Sequence, residues 1–131
     1  TRTVDVIKHV IDRLINCIGF GLEALLKYAK EKKLVTSIPT NQGLRCDLLK
    51  RTFPDNAELI EYINFYLKLR KLSKAEYSKR EEFRRHVTMI ATIDKGEIVE
   101  VSIDVLKEYY EYTRNFIAFV KKIINEAKEE Q

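Results

Sequence analysis

Apolar residues recur in steps of three and four from Val4 through Ile7, Ile11, Leu14, Ile18, Leu22 and Leu25 to Ala29. That is the period of an α-helix. Val6, Val10, Cys17, Phe20, Ala24 and Tyr28 run beside this stripe and widen it. An apolar face so broad exceeds what one neighbour covers. The helix is therefore expected to pack against two partners, or against one partner and a second subunit. Gly19 and Gly21 interrupt it, each costing about 1 kcal/mol relative to Ala. They read as points of close helix approach, with a kink as the alternative. Lys27, Lys30, Lys32 and Lys33 load the C-terminal end, where cations suit the helix dipole.

Thr36-Ser37-Ile38-Pro39-Thr40-Asn41 is a loop by composition. A short helix follows, with Leu44, Leu48 and Leu49 as its expected buried residues. Phe53 should end it, because a residue before proline is biased away from the helical region. Asp55-Asn56-Ala57-Glu58 reads as a helix start, continued by Leu59, Ile60, Ile63, Tyr66, Leu67 and Arg70. Ser73-Lys74-Ala75-Glu76 repeats the capping pattern. It predicts a break near Leu72 and a new helix running to about His86. Beyond His86 the pattern changes. Thr88–Ile93 and Glu97–Val101 are rich in β-branched residues and flank Asp94-Lys95-Gly96, a turn signal. A small β-hairpin at about 88–101 is the favoured reading, with helix to Ile93 and an irregular loop as the alternative. Ser102 is a natural N-cap for the last helix. That helix carries one stripe from Ile103 through Leu106, Tyr110, Thr113 and Ile117 to Ala127. A second stripe runs through Tyr109, Tyr112, Phe116, Phe119 and Ile123. The polar tail, residues 126–131, is expected to fray.

The resulting fold class is mainly α, a four-to-five-helix up-down bundle with a small hairpin, in one domain over 1–131. Composition agrees: 45% of residues are apolar and 34% charged, which suits a globular chain. Only 4 Gly and 2 Pro are present, favouring few long elements over many turns. Cys17 and Cys46 lack a CxxC spacing or a nearby His. They read as small buried hydrophobes in a reducing compartment. No secretory h-region and no membrane-length apolar run is visible, so the expected location is cytoplasmic, without membrane association. The start at Thr1 suggests a short missing N-terminal piece. High Lys and Glu hint at a thermophile.

Charge sharpens the picture. Of 24 bases and 20 acids, residues 68–86 hold eight bases and three acids. All of the net charge of +4 therefore resides in that segment, which favours an anionic partner. The plain alternative is a solvated helix face with pairs such as Glu81 to Arg85 or Glu82 to His86. No metal or cofactor motif is present: no HExxH, no paired CxxC, no phosphate loop. His9, one turn from Asp5 and Arg13, reads as a surface histidine. His86 ends the run Arg80-Glu81-Glu82-Phe83-Arg84-Arg85-His86. Imidazole moves protons near neutral pH and guanidinium grips phosphate, which together are the parts of metal-independent RNA cleavage. On an ideal helix Arg80 and His86 would stand roughly 120° apart, so they need a bend or a second subunit to share one phosphate. Lys74, Lys79, Arg84 and Arg85 are the candidate phosphate ligands, and Tyr77 the candidate stacking residue.

The order of elements then resembles the HEPN superfamily. It comprises a first helix ending GLEALLKYAKEKKLV, the loop PTNQGLRCDLL opening a short helix, a third helix, an Arg-rich segment and a final FIAFVKKI helix. The chain looks most like archaeal members of that superfamily. The resemblance implies a small, often dimeric helical bundle. It also implies a minimal nucleotidyltransferase as partner and, in active members, a toxin-like RNase using an Arg-x4-6-His motif. Arg80 and His86 match that motif, while Glu81 stands where the motif usually has Asn, Asp or His. The first functional reading is a non-catalytic module that binds RNA or a nucleotide and acts with a partner protein. The alternatives are an endoribonuclease using Arg80 and His86 across a dimer cleft, and a structural homodimer with a solvated basic segment.

Overall fold

The protein is described by a computed structural model covering residues 3–129. Its order is α1 (Val4–Glu31), α2 (Gln42–Thr52), α3 (Ala57–Lys74), β1 (Glu76–Arg80), β2 (Thr88–Ile93), β3 (Glu97–Ser102) and α4 (Ile103–Glu129). The chain is thus mainly helical with a small antiparallel sheet ordered β1-β2-β3.

Local chemistry sets most boundaries. Thr3 caps α1 by accepting from the Val6 N–H, at 3.3 Å. Asn41 and Asn56 cap α2 and α3 by accepting from Leu44 and Leu59, both at 3.0 Å. Ser102 does the same for α4, accepting from Val105 at 3.2 Å. Each satisfies an N–H that the helix itself cannot pair. Phe53 ends α2, as its place before Pro54 predicts. The 94–96 turn joins β2 to β3 with Asp94 at φ 48° and Gly96 at φ 90°, the left-handed backbone that glycine tolerates best.

The three long helices form the frame. Tyr66 of α3 lies beside Gly19, and Ser73 bonds Asp12 of α1, so α3 runs antiparallel to α1. Gly21 of α1 meets Phe116 of α4. Ala24 and Tyr28, further along α1, share a cleft with Ile124 and Ala127, further along α4. These two helices therefore run parallel. The core threads between them: Ile7, Ile11, Ile18, Leu22, Leu25 and Phe116 are all buried. The sheet closes the end where α3 stops and α4 starts. Its inward face, Met89, Ala91, Ile93 and Val101, joins the same core. Its other face carries Ser78, Arg80, Thr92, Ile98 and Glu100 to solvent.

Several expectations are corrected. The helix expected over 74–86 is absent. Strand β1 pairs residue for residue with β2, from Glu76 opposite Thr92 to Arg80 opposite Thr88. A loop over 81–87 follows. The Ser73 hydroxyl that suggested a cap reaches Asp12 instead. The unpaired edge of the β2–β3 hairpin outcompetes the local helix signal, because its backbone N–H and C=O groups need partners. The Glu81–Arg85 and Glu82–His86 helical pairs fall with that helix. Cys17 is exposed rather than buried; Cys46 is buried. Leu44 is exposed, and Cys46 with Leu49 forms the inward face of α2. Phe20 and Tyr110, placed on apolar stripes by spacing, also face outward. In the polar tail α4 continues to Glu129, while Glu130 and Gln131 lie outside the described residues.

Candidate functional site

The basic segment is carried by β1 and the loop that returns to β2. Arg80 is the last residue of β1 and lies on the solvent face of the sheet. Its guanidinium reaches across β2 to an ion pair with Glu100 of β3. Lys79, on the opposite face at the open edge, pairs with Glu82 at 3.5 Å. Glu82 also accepts the Val4 N–H at 3.0 Å. That bond places a carboxylate at the positive end of α1, where the dipole favours it, and ties the loop to the bundle.

The loop itself is built from two successive turns. Arg84 N–H donates to Glu81 O and Val87 N–H to Arg84 O, each at 3.1 Å. Val87 is fully buried and anchors the far side. Between the tether at Glu82 and the anchor at Val87, Phe83, Arg84, Arg85 and His86 are all exposed. Phe83 is 76% exposed. Its φ is 65°, and that of Glu81 is 55°. A bulky aromatic pays steric strain in that region, and here it gains no burial in return. Arg85 and His86 also line a cleft of about 310 Å³ with Ser102, Asp104 and Lys107, at the start of α4. The cleft collects three cationic or titratable groups against one acid, Asp104.

The candidate residues are thus divided. Arg85, His86 and Lys107 converge at the start of α4. Arg80 lies at the same end of the sheet, since its pairing partner Thr88 is two residues beyond His86, but it is engaged by Glu100. Arg84 is exposed in the loop, and its side chain has no ion-pair partner among the described residues. Lys74 ends α3 near the other end of β1. Tyr77 is half-buried against the core, with the Lys8 ammonium 4.9 Å from its ring centre. The exposed aromatic of the segment is Phe83, which spacing did not single out. Its signal was an aromatic residue set between Glu82 and Arg84 with no apolar neighbour on either side. Lys107 was missed because only the tertiary fold brings it beside His86. His9 is exposed on α1.

Among the described residues no group of three or more His, Cys, Asp and Glu is placed to hold a metal ion. No described helix is long and apolar enough to cross a membrane. No family model, curated protein or solved structure matches the chain.

Proposed function

We propose that this mainly helical domain is an RNA- or nucleotide-associated module that grips phosphate and stacks a base through the 81–87 loop, acting with a partner protein. One observation carries the reading: Phe83 stands exposed on strained backbone, next to exposed Arg84, Arg85 and His86. Aromatic faces stack any base, and flanking cations hold the backbone. The resemblance in element order to HEPN domains adds a minimal nucleotidyltransferase as the expected partner, and a homodimer as the expected assembly. The test is fluorescence anisotropy with a labelled oligouridylate at low salt. Phe83→Ala is expected to weaken binding by roughly 5- to 150-fold, the value of one stacked base. Undetectable binding by the unaltered chain, or full binding by the variant, would count against the reading.

A second reading is metal-independent RNA cleavage by Arg80 and His86. The return of the loop favours it, because both residues stand at one end of the sheet. His86 would move the proton and Arg80 would hold the phosphorane charge after release from Glu100. His86→Ala is then expected to abolish cleavage of a labelled RNA while helicity by circular dichroism is retained. Unchanged cleavage by the variant, or none by the parent, removes this reading.

A further inference from the structure

Helices α1 and α4 leave an open groove of about 640 Å³ on a side to which neither α3 nor the sheet contributes a residue. Its floor is apolar: Val10, Leu14, Cys17 and Ile117 line it. Thr113 also lies there, but its hydroxyl donates to Tyr109 O at 2.8 Å and asks nothing of an occupant. The banks are cationic. Arg13 stands on the α1 side, and Arg114 and Lys121 on the α4 side, seven residues and about 10 Å apart. No carboxylate is among the described lining residues. Arg114 makes an exposed ion pair with Glu111 at 3.5 Å. Such a pair holds its partner weakly.

This geometry selects its occupant. From Tyr110 to Lys121 the groove runs about three helical turns, roughly 16 Å. Small side chains on both sides, Cys17 and Ala118, let a third helix axis approach closely. A second copy of the chain is the wrong partner. A two-fold interface would set the same three cations of each copy against one another. We propose that the α1–α4 groove docks an acidic amphipathic helix of another protein, with apolar residues on the floor and carboxylates against Arg13, Arg114 and Lys121. The groove and its chemistry are independent of the 81–87 loop.

Cys17 supplies the readout. It is the exposed cysteine and lies in the floor, whereas Cys46 is buried and burial pushes its thiol above the ordinary value. The probe is a synthetic peptide of about 16 residues. It carries Leu at helical spacing on one face and Glu along both flanks, and a control carries Lys in place of Glu. Alkylation of Cys17 in the full chain by N-ethylmaleimide is followed by intact mass, alongside anisotropy of labelled peptide. The acidic peptide is expected to slow alkylation at least about tenfold at saturation. The double variant R114E/K121E is expected to lose about tenfold or more in affinity for it and to gain affinity for the Lys peptide. Both side chains are exposed, so retained helicity shows the variant is folded. The proposal is overturned by an acidic peptide that gives no protection, by equal protection from the Lys peptide, or by protection without peptide that tracks dimer formation in sedimentation.

Discussion

Gly19 and Gly21 stand two residues apart on α1, yet opposite outcomes are expected on replacing them. A Cβ at Gly19 would meet the Tyr66 hydroxyl at 3.7 Å, an ordinary contact. Gly19→Ala should therefore stabilise the fold by about 0.5–1 kcal/mol through helix propensity. A Cβ at Gly21 would stand 2.6 Å from the Phe116 ring. That ring is buried and packed 5.0 Å from Tyr62, centre to centre, so it has no room to retreat. Overpacking costs about 1–3 kcal/mol and outweighs the propensity gain, so Gly21→Ala should destabilise. Urea unfolding of the two variants checks this; a shared sign would refute the packing argument. The sequence marked both glycines as points of close approach. Only the fold shows that Gly21 is one and that Gly19 has space.

At the scale of elements, α3 and α4 are joined by aromatic rings. Tyr62 lies 4.9 Å from Tyr112, and Phe65 meets Tyr112 edge-on at 4.7 Å. Burial pushes the hydroxyls of Tyr62, Tyr66, Tyr109 and Tyr112 above the ordinary value of 10.0. Glu58 and Glu61 add to the shift at Tyr62 and Tyr112. The folded chain holds these protons more tightly than the unfolded chain. Their contribution is thus complete below pH 10 and is lost as pH climbs through the raised folded values. The urea midpoint should begin to fall near pH 9, where the unfolded Cys46 thiol ionises and the buried one does not, and fall more steeply above about 10, with Tyr112→Phe softening the steeper part. A midpoint unchanged to about pH 11 would show these hydroxyls to be indifferent to folding. Tyr62 and Phe65 of α3 stood outside the stripe read for that helix, whereas the α4 stripe through Tyr109, Tyr112, Phe116 and Phe119 was legible from spacing alone. β1 was not, because Glu76-Tyr77-Ser78-Lys79-Arg80 has one apolar residue and no alternation strong enough to mark a strand. Its identity comes from the open edge of β2.

For the whole molecule, charge and apolar surface are sorted to different places. The excess of bases sits where the sheet closes the bundle, and the cation-banked apolar groove lies between α1 and α4. The proposed binding of single-stranded RNA should therefore depend on the loop and not on total charge. R84E/R85E should weaken oligouridylate binding by at least about tenfold and flatten its salt dependence. K27E/K30E makes the same change in net charge near the C-terminal end of α1 and should alter binding much less. Equal losses from both variants would assign the binding to nonspecific charge.

The sequence by itself determined the four helices that form, the helix starts at Asn56 and Ser102 and the 94–96 turn, because period, cap residues and β-branched runs act within a few residues of one another. It also located the basic segment, since charge is counted along the chain. Whether that segment became helix or strand was left to the tertiary structure, as was the display of Phe83 and the meeting of His86 with Lys107. Those outcomes rest on pairing and burial between residues far apart in sequence. Backbone groups on the β2 edge needed partners, and a nearby capping pattern did not outweigh that need.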